Sequence, residues 1–160
     1  MRMQDVKAVI MYYRDIPEMK KLLIQERREL EDEYCGLKGV SMDEAPRGGS
    51  TGKPVEGQMI AMEESGAAAR LRDIGKLTGE LEADRQRVQC AIDALNGRYK
   101  RVLKMRYLGG YSWAKISVQI GASDSTVRRW NDKALSRLGK ALEEGGEVRG
   151  ILARASRARV

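Results

Sequence analysis

Residues 107–138 read YLGGYSWAKISVQIGASDSTVRRWNDKALSRL, and the spacing within this stretch decides the fold. Ser112 stands where it caps a helix that begins at Trp113, with Trp113, Ile116 and Ile120 on one face at three-and-four spacing. Gly121 follows, where two steeply crossing helices need a residue that tolerates positive φ. Ser123 caps a longer second helix whose inward positions are Val127, Trp130, Ala134, Leu135 and Leu138. Small Ser117 sits at the close approach of the two helices, and Val127, six residues beyond Gly121, plugs the space between them. Upstream, Arg98 to Leu108 predicts a basic amphipathic helix ended by Gly109-Gly110. A generic three-helix bundle shares this apolar pattern. The outward face of the second helix favours a helix-turn-helix, because Asp124, Ser125, Arg128, Arg129 and Lys133 cluster at its start, the end that enters a major groove.

Charge points the same way. The chain has 160 residues and a net charge of +7, but the charge is unevenly placed. Residues 1–93 carry 15 basic and 18 acidic side chains, whereas residues 94–142 carry 11 basic ones against only Asp124 and Asp132. A polyanion is therefore drawn to one third of the molecule. Within it, Ser125, Arg128, Arg129 and Lys133 are expected to face base edges, arginine reading guanine through paired hydrogen bonds. Lys100, Arg101, Lys104, Lys115, Arg137 and Lys140 are expected to grip phosphates and set orientation. Asp124 is read as complementing the helix dipole. Trp113 and Trp130 fall at core positions, which argues against base stacking.

The run from Tyr107 to Ile116, then Ile120-Gly121-Ala122-Ser123, Thr126-Val127 and Lys133 to Leu138, resembles region 4 of sigma factors. With a helical N-terminal half, a Gly-rich joint and Arg128-Arg129-Trp130 in the recognition helix, the layout is similar to bacteriophage transcriptional activators of the RinA and ArpU type. The specific likeness covers about 45 residues of the chain. It implies promoter or operator binding in the control of late genes, with contact to RNA polymerase. Nothing like sigma region 2 accompanies it, which implies that the protein does not melt promoters itself.

The rest of the chain completes an all-α expectation: an N-terminal helical hairpin or coiled coil joined to the helix-turn-helix bundle. Val6, Val9, Ile10, Tyr13 and Ile16 have helical spacing, interrupted at Asp15-Ile16-Pro17-Glu18, where Asp15 and Glu18 suit a cap and Pro17 a first turn. Two helices, about 3–14 and 16–34, are therefore predicted within an N-terminal segment 1–35. Residues 36–58 are a Gly-rich linker. Its Gly48–Pro54 stretch fails as a phosphate loop, since Arg47 replaces the first Gly and Pro54 the Ser or Thr. Residues 59–95 predict a long helix weakened at Gly66, Gly75 and Gly79, with Ile74, Leu81, Val88 and Leu95 at intervals of seven. Leu77, Asp84 and Ala91 form the companion row, which Asp84 breaks. This seam suits packing against the N-terminal helices or against a second copy; intramolecular packing is favoured because an isolated helix pair needs the burial. Because dimers commonly read half-sites, a homodimer through the seam is also expected. The helix-turn-helix domain spans 96–142, and the tail 143–160 is either a short basic helix or a disordered end.

No apolar run spans a membrane and no signal peptide is recognisable, so a cytoplasmic protein without a membrane partner is expected. The chain has no His and its two cysteines, Cys35 and Cys90, lack CxxC spacing, so the usual metal, haem and nucleophile arrangements cannot be assembled. Both thiols are expected to be reduced, with no cofactor and no catalytic residue. Two other classes fit the same features: a small terminase-like DNA-packaging subunit, and a partner-binding module whose basic third meets an acidic protein. Ring assembly marks the first, and absence of salt-dependent duplex binding the second.

Overall fold

Val6, Val9, Ile10, Tyr12 and Ile16 are all buried, and the helix they share does not stop where the pattern at Pro17 predicts. In the computed structural model, which describes residues 1–34, 66–146 and 148–158, α1 is one helix, Met3–Tyr34, with Pro17 inside it. Asp15 is not a cap; its carboxylate takes Arg14 Nε at 2.7 Å. An internal proline costs a helix about 3 kcal/mol. Burial of Ile16, 0 % exposed, beside Tyr12 offsets that cost, since one such side chain is worth about 1.5–3 kcal/mol. The Gly-rich linker, its phosphate-loop look-alike, Cys35 and residues 59–65 lie outside the described residues.

Helix α2 spans Ala67–Asp93 and runs straight through Gly75 and Gly79. The chain forms two compact units. One comprises Glu18–Glu80. Within it the two helix halves are joined by a fork from Arg70 to Glu26, with Nε–Oε1 at 2.6 Å and Nη2–Oε2 at 2.9 Å. The other comprises Met1–Pro17 together with Leu81–Val160. The seam residues Ile74, Leu81, Val88 and Leu95 are each no more than 7 % exposed in the single chain. The row is therefore covered within the single chain and offers no free surface for a second copy.

Asp84, which spoils the companion row as a coiled-coil seam, is fully buried as the centre of a polar junction. Arg154 donates to both its oxygens, Nε to Oδ2 at 2.6 Å and Nη2 to Oδ1 at 2.7 Å. Tyr12 Oη donates to Oδ2 at 2.9 Å, and Arg87 lies 3.6 Å from Oδ1. Burial first, then the adjacent carboxylate, push the Tyr12 hydroxyl well above its ordinary range. Arg154 comes from the tail, whose residues Val148–Arg157 form α6 with Ile151 and Ala155 buried. Residues Val148–Arg157 of the tail are thus a docked helix. The free thiol of Cys90 is exposed.

The remaining helices are α3, Gly97–Leu103, continued by a π-helical turn Lys104–Leu108, then α4, Trp113–Ile120, and α5, Asp124–Glu144. Helix α1 runs antiparallel to α5: the Met1 ammonium pairs with Glu143, and Val6 meets Gly139 further back. A Cβ on Gly139 would stand 3.0 Å from Val6 Cγ2, so the two backbones come this close because position 139 has no side chain. No helix among the described residues is long and apolar enough to cross a membrane.

Candidate nucleic-acid interface

The interface is assembled around three fully buried residues, Val102 of α3, Ile116 of α4 and Val127 of α5. Ser112 Oγ accepts from Lys115 N and Ser123 Oγ from Thr126 N, each at 3.3 Å, so both predicted caps form. Gly121 turns the chain at φ 71°, ψ 37°, the left-handed conformation that side chains other than glycine adopt only with strain. Ser117 carbonyl accepts from both Gly121 N, at 2.9 Å, and Ala122 N, at 3.2 Å.

On α5 the buried positions are Val127, Asn131, Ala134, Leu135, Leu138, Gly139 and Leu142. The opposite face carries Ser125, Arg129 and Lys133 at steps of four, continued by Ser136 and Lys140, all exposed. Among the described residues none bonds the side chains of Arg129 or Lys133. Ser125 Oγ lies 3.1 Å from Ser123 Oγ. Arg128 stands apart from its three companions. One step of the helix turns it to the flank, where its Nε donates to Asp124 Oδ2 at 2.7 Å and its guanidinium lies 5.3 Å from the Trp113 ring centre. Asp124 thus does more than complement the helix dipole, since it also holds an arginine.

The six residues expected at phosphates are distributed around this stripe. Lys104, Lys115, Arg137 and Lys140 are exposed. Lys115 Nζ covers the Tyr111 ring at 4.1 Å and Arg137 the Tyr99 ring at 4.8 Å. Arg101 Nη2 donates to Gln119 carbonyl at 3.3 Å. Lys100 is half-buried, with Nζ 3.0 Å from Asp93 Oδ1. Hydrogen bonds from Gln89 and then Lys100 hold the Asp93 carboxyl below its usual range.

Both tryptophans are half-buried, and the core assignment needs a correction on one side of each ring. Each packs against the Val102–Ile116–Val127 cluster with part of its surface and carries arginine on another. Arg98 lies 5.1 Å from the Trp130 ring centre; Arg106 lies 4.6 Å from that of Trp113, so that Arg106 and Arg128 both bear on one indole. Arg98 and Arg106 are thus placed beside the candidate interface, where the sequence pattern did not single them out. The basic surplus of residues 94–142 included them, but which arginines lie over an indole depends on tertiary packing. Arg106 also owes its place to the π turn: Gly109 N reaches Lys104 carbonyl at 2.9 Å, five residues back, which re-aims the side chains between. Its Nη1 donates to Tyr111 carbonyl at 2.9 Å.

Two short helices, a left-handed glycine in the turn and a cationic outward stripe on the longer third helix define a helix-turn-helix of the DNA-binding type. Residues 85–138 match the family Sigma-70, region 4. The matched residues begin within the last part of α2 and end within α5. No curated protein and no solved structure matches the chain.

Proposed function

We propose that this protein is a sequence-specific, double-stranded-DNA-binding transcriptional regulator, encoded by a phage or prophage and controlling late genes from the cytoplasm of a bacterial host. The observation that carries the DNA-binding reading is the exposed row Ser125, Arg129 and Lys133 at the start of α5, inside the segment that matches Sigma-70, region 4. Arg129 and Lys133, without partners among the described residues, are the first candidates to read base edges, and Ser125 hydrogen-bonds beside them. Arg128 joins them when its bond to Asp124 opens. Lys100, Arg101, Lys104, Lys115, Arg137 and Lys140 set orientation on the phosphates. The phage assignment rests on the resemblance of the whole layout to the RinA and ArpU regulators, and the polymerase contact on the region 4 likeness. A homodimer would require a surface other than the buried heptad row.

The test is selection of bound duplexes from a random-sequence library. A regulator enriches one motif over successive rounds. Duplex recovery that stays independent of sequence, or no recovery at low salt, would overturn the proposal. Native mass spectrometry of the same sample separates the packaging alternative, which forms a large ring.

A further inference from the structure

The antiparallel approach of α1 to α5 sets Lys7 on the wall of a cavity of about 480 Å³ that Arg106, Trp113, Arg128, Asn131 and Asp132 also line. Lys7 is exposed and no described residue bonds it. The two arginines lie over Trp113, at 4.6 and 5.3 Å from its ring centre. Each spends one N–H on a described hydrogen bond, Arg106 on Tyr111 carbonyl and Arg128 on Asp124, out of the five that a guanidinium carries. Three cations therefore converge on one space with donors to spare, against the single lining carboxylate of Asp132. Planar forks beside an ammonium are the chemistry that holds a phosphate.

The position of the cavity indicates which phosphate. Trp113 is the first residue of α4, and Arg128 lies in the second turn of α5. In a helix-turn-helix the first helix crosses the nucleic-acid backbone while the second enters the groove, and a helix N-terminus adds its own attraction for an anion. We infer that this cavity seats a backbone phosphate of duplex DNA, and that Lys7, from the far end of the chain, is a DNA-contact residue. The interface is then composite: α1 braces α5 through Val6 and Gly139 and also supplies a cation to the phosphate. This inference rests on the DNA-binding reading above.

The experiment measures binding of the full chain to a mixed-sequence duplex as a function of salt. The wild-type slope of log K against log salt should be steep, and Lys7→Gln should reduce it by about 1, the contribution of one phosphate contact. Lys7→Arg should keep the slope, and Lys76→Gln, which alters an exposed lysine of the other unit, should leave it unchanged. Inorganic phosphate titrated without DNA should give no saturable change in the nuclear magnetic resonance signals of Trp113. If the wild type binds steeply and Lys7→Gln keeps the full slope, the inference is overturned while the regulatory proposal stands. Saturable phosphate binding in the absence of DNA would reassign the cavity to a free anion and likewise overturn it. A wild type with no salt-dependent duplex binding would remove both.

Discussion

The start of α5 and the junction at Asp84 use the same kinds of charged residue for opposite ends. At the junction the charges are spent inside the molecule: a fully buried carboxylate takes a fork from Arg154 and a hydroxyl from Tyr12. On α5 they are kept outside, where Arg129 and Lys133 are exposed over a core of small aliphatic residues. Arg128 lies between the extremes, exposed yet engaged by Asp124 and by Trp113. Charge that is paired and desolvated ties segments distant in sequence into one body. Charge that is solvated and unpaired is available to a partner, and its removal costs the fold little.

The largest effect is expected where that contrast is broken at the junction. Asp84→Ala removes the buried carboxylate that Arg154 and Tyr12 bond and is expected to cost about 3–5 kcal/mol, toward the lower end because Arg154 retains some contact with water. Urea unfolding measures it. Replacing the pair together, Asp84→Leu with Arg154→Met, and Tyr12→Phe with them, should recover most of the loss, since hydrophobic residues of similar size replace such groups at little cost once the buried hydroxyl that bonds Asp84 is removed too. If the combined variant is no better than Asp84→Ala, the loss does not come from the unpaired groups of the junction.

Next in size, Ile116→Ala opens a hole in the cluster beneath the recognition helix and should cost roughly 2–5 kcal/mol by the same measurement. Gly121→Val forces a branched side chain into a left-handed turn and should cost about 1–3 kcal/mol, with loss of duplex binding in proportion to unfolding. An unchanged unfolding midpoint for Gly121→Val would show that the turn relaxes to another conformation.

A smaller effect sharpens the comparison through pH. The Tyr12 hydroxyl is raised by burial and by its bond to Asp84, so the folded state favours the neutral phenol. The stabilisation is complete below the unfolded value, about 10, and is lost as pH rises above it toward the folded value. Thermal unfolding followed above pH 10 should show a falling midpoint that Tyr12→Phe flattens. An equal fall in both proteins would assign the alkaline loss to other groups.

The helix-turn-helix was legible because its signals are local. Ser112, Ser123 and Gly121 act within three or four residues of themselves, and their caps and turn appear at the expected positions. What escaped depends on residues far apart in the chain. Asp84 looked like a flaw in a heptad row because its partner Arg154 lies 70 positions away, and the tail looked undecided for the same reason. Pro17 suggested a helix start on local grounds, and burial of the residues before it overrode that preference. The stripe of Ser125, Arg129 and Lys133 follows from steps of four, and the one-step turn of Arg128 to the flank follows from the same periodicity, whereas its place over Trp113 depends on how α4 packs on α5. Lys7 was out of reach entirely, since nothing in residues 1–17 announces that they pack on α5.

If the outward stripe of α5 reads a duplex groove, Arg129, exposed at its middle, must discriminate between sequences. Dissociation constants of the wild type and Arg129→Ala are compared on a selected duplex and on a scrambled one at fixed salt. Discrimination between the two duplexes should fall by roughly 1–3 kcal/mol while affinity for the scrambled duplex changes little. A loss of the same size on both duplexes, or none on either, would contradict it.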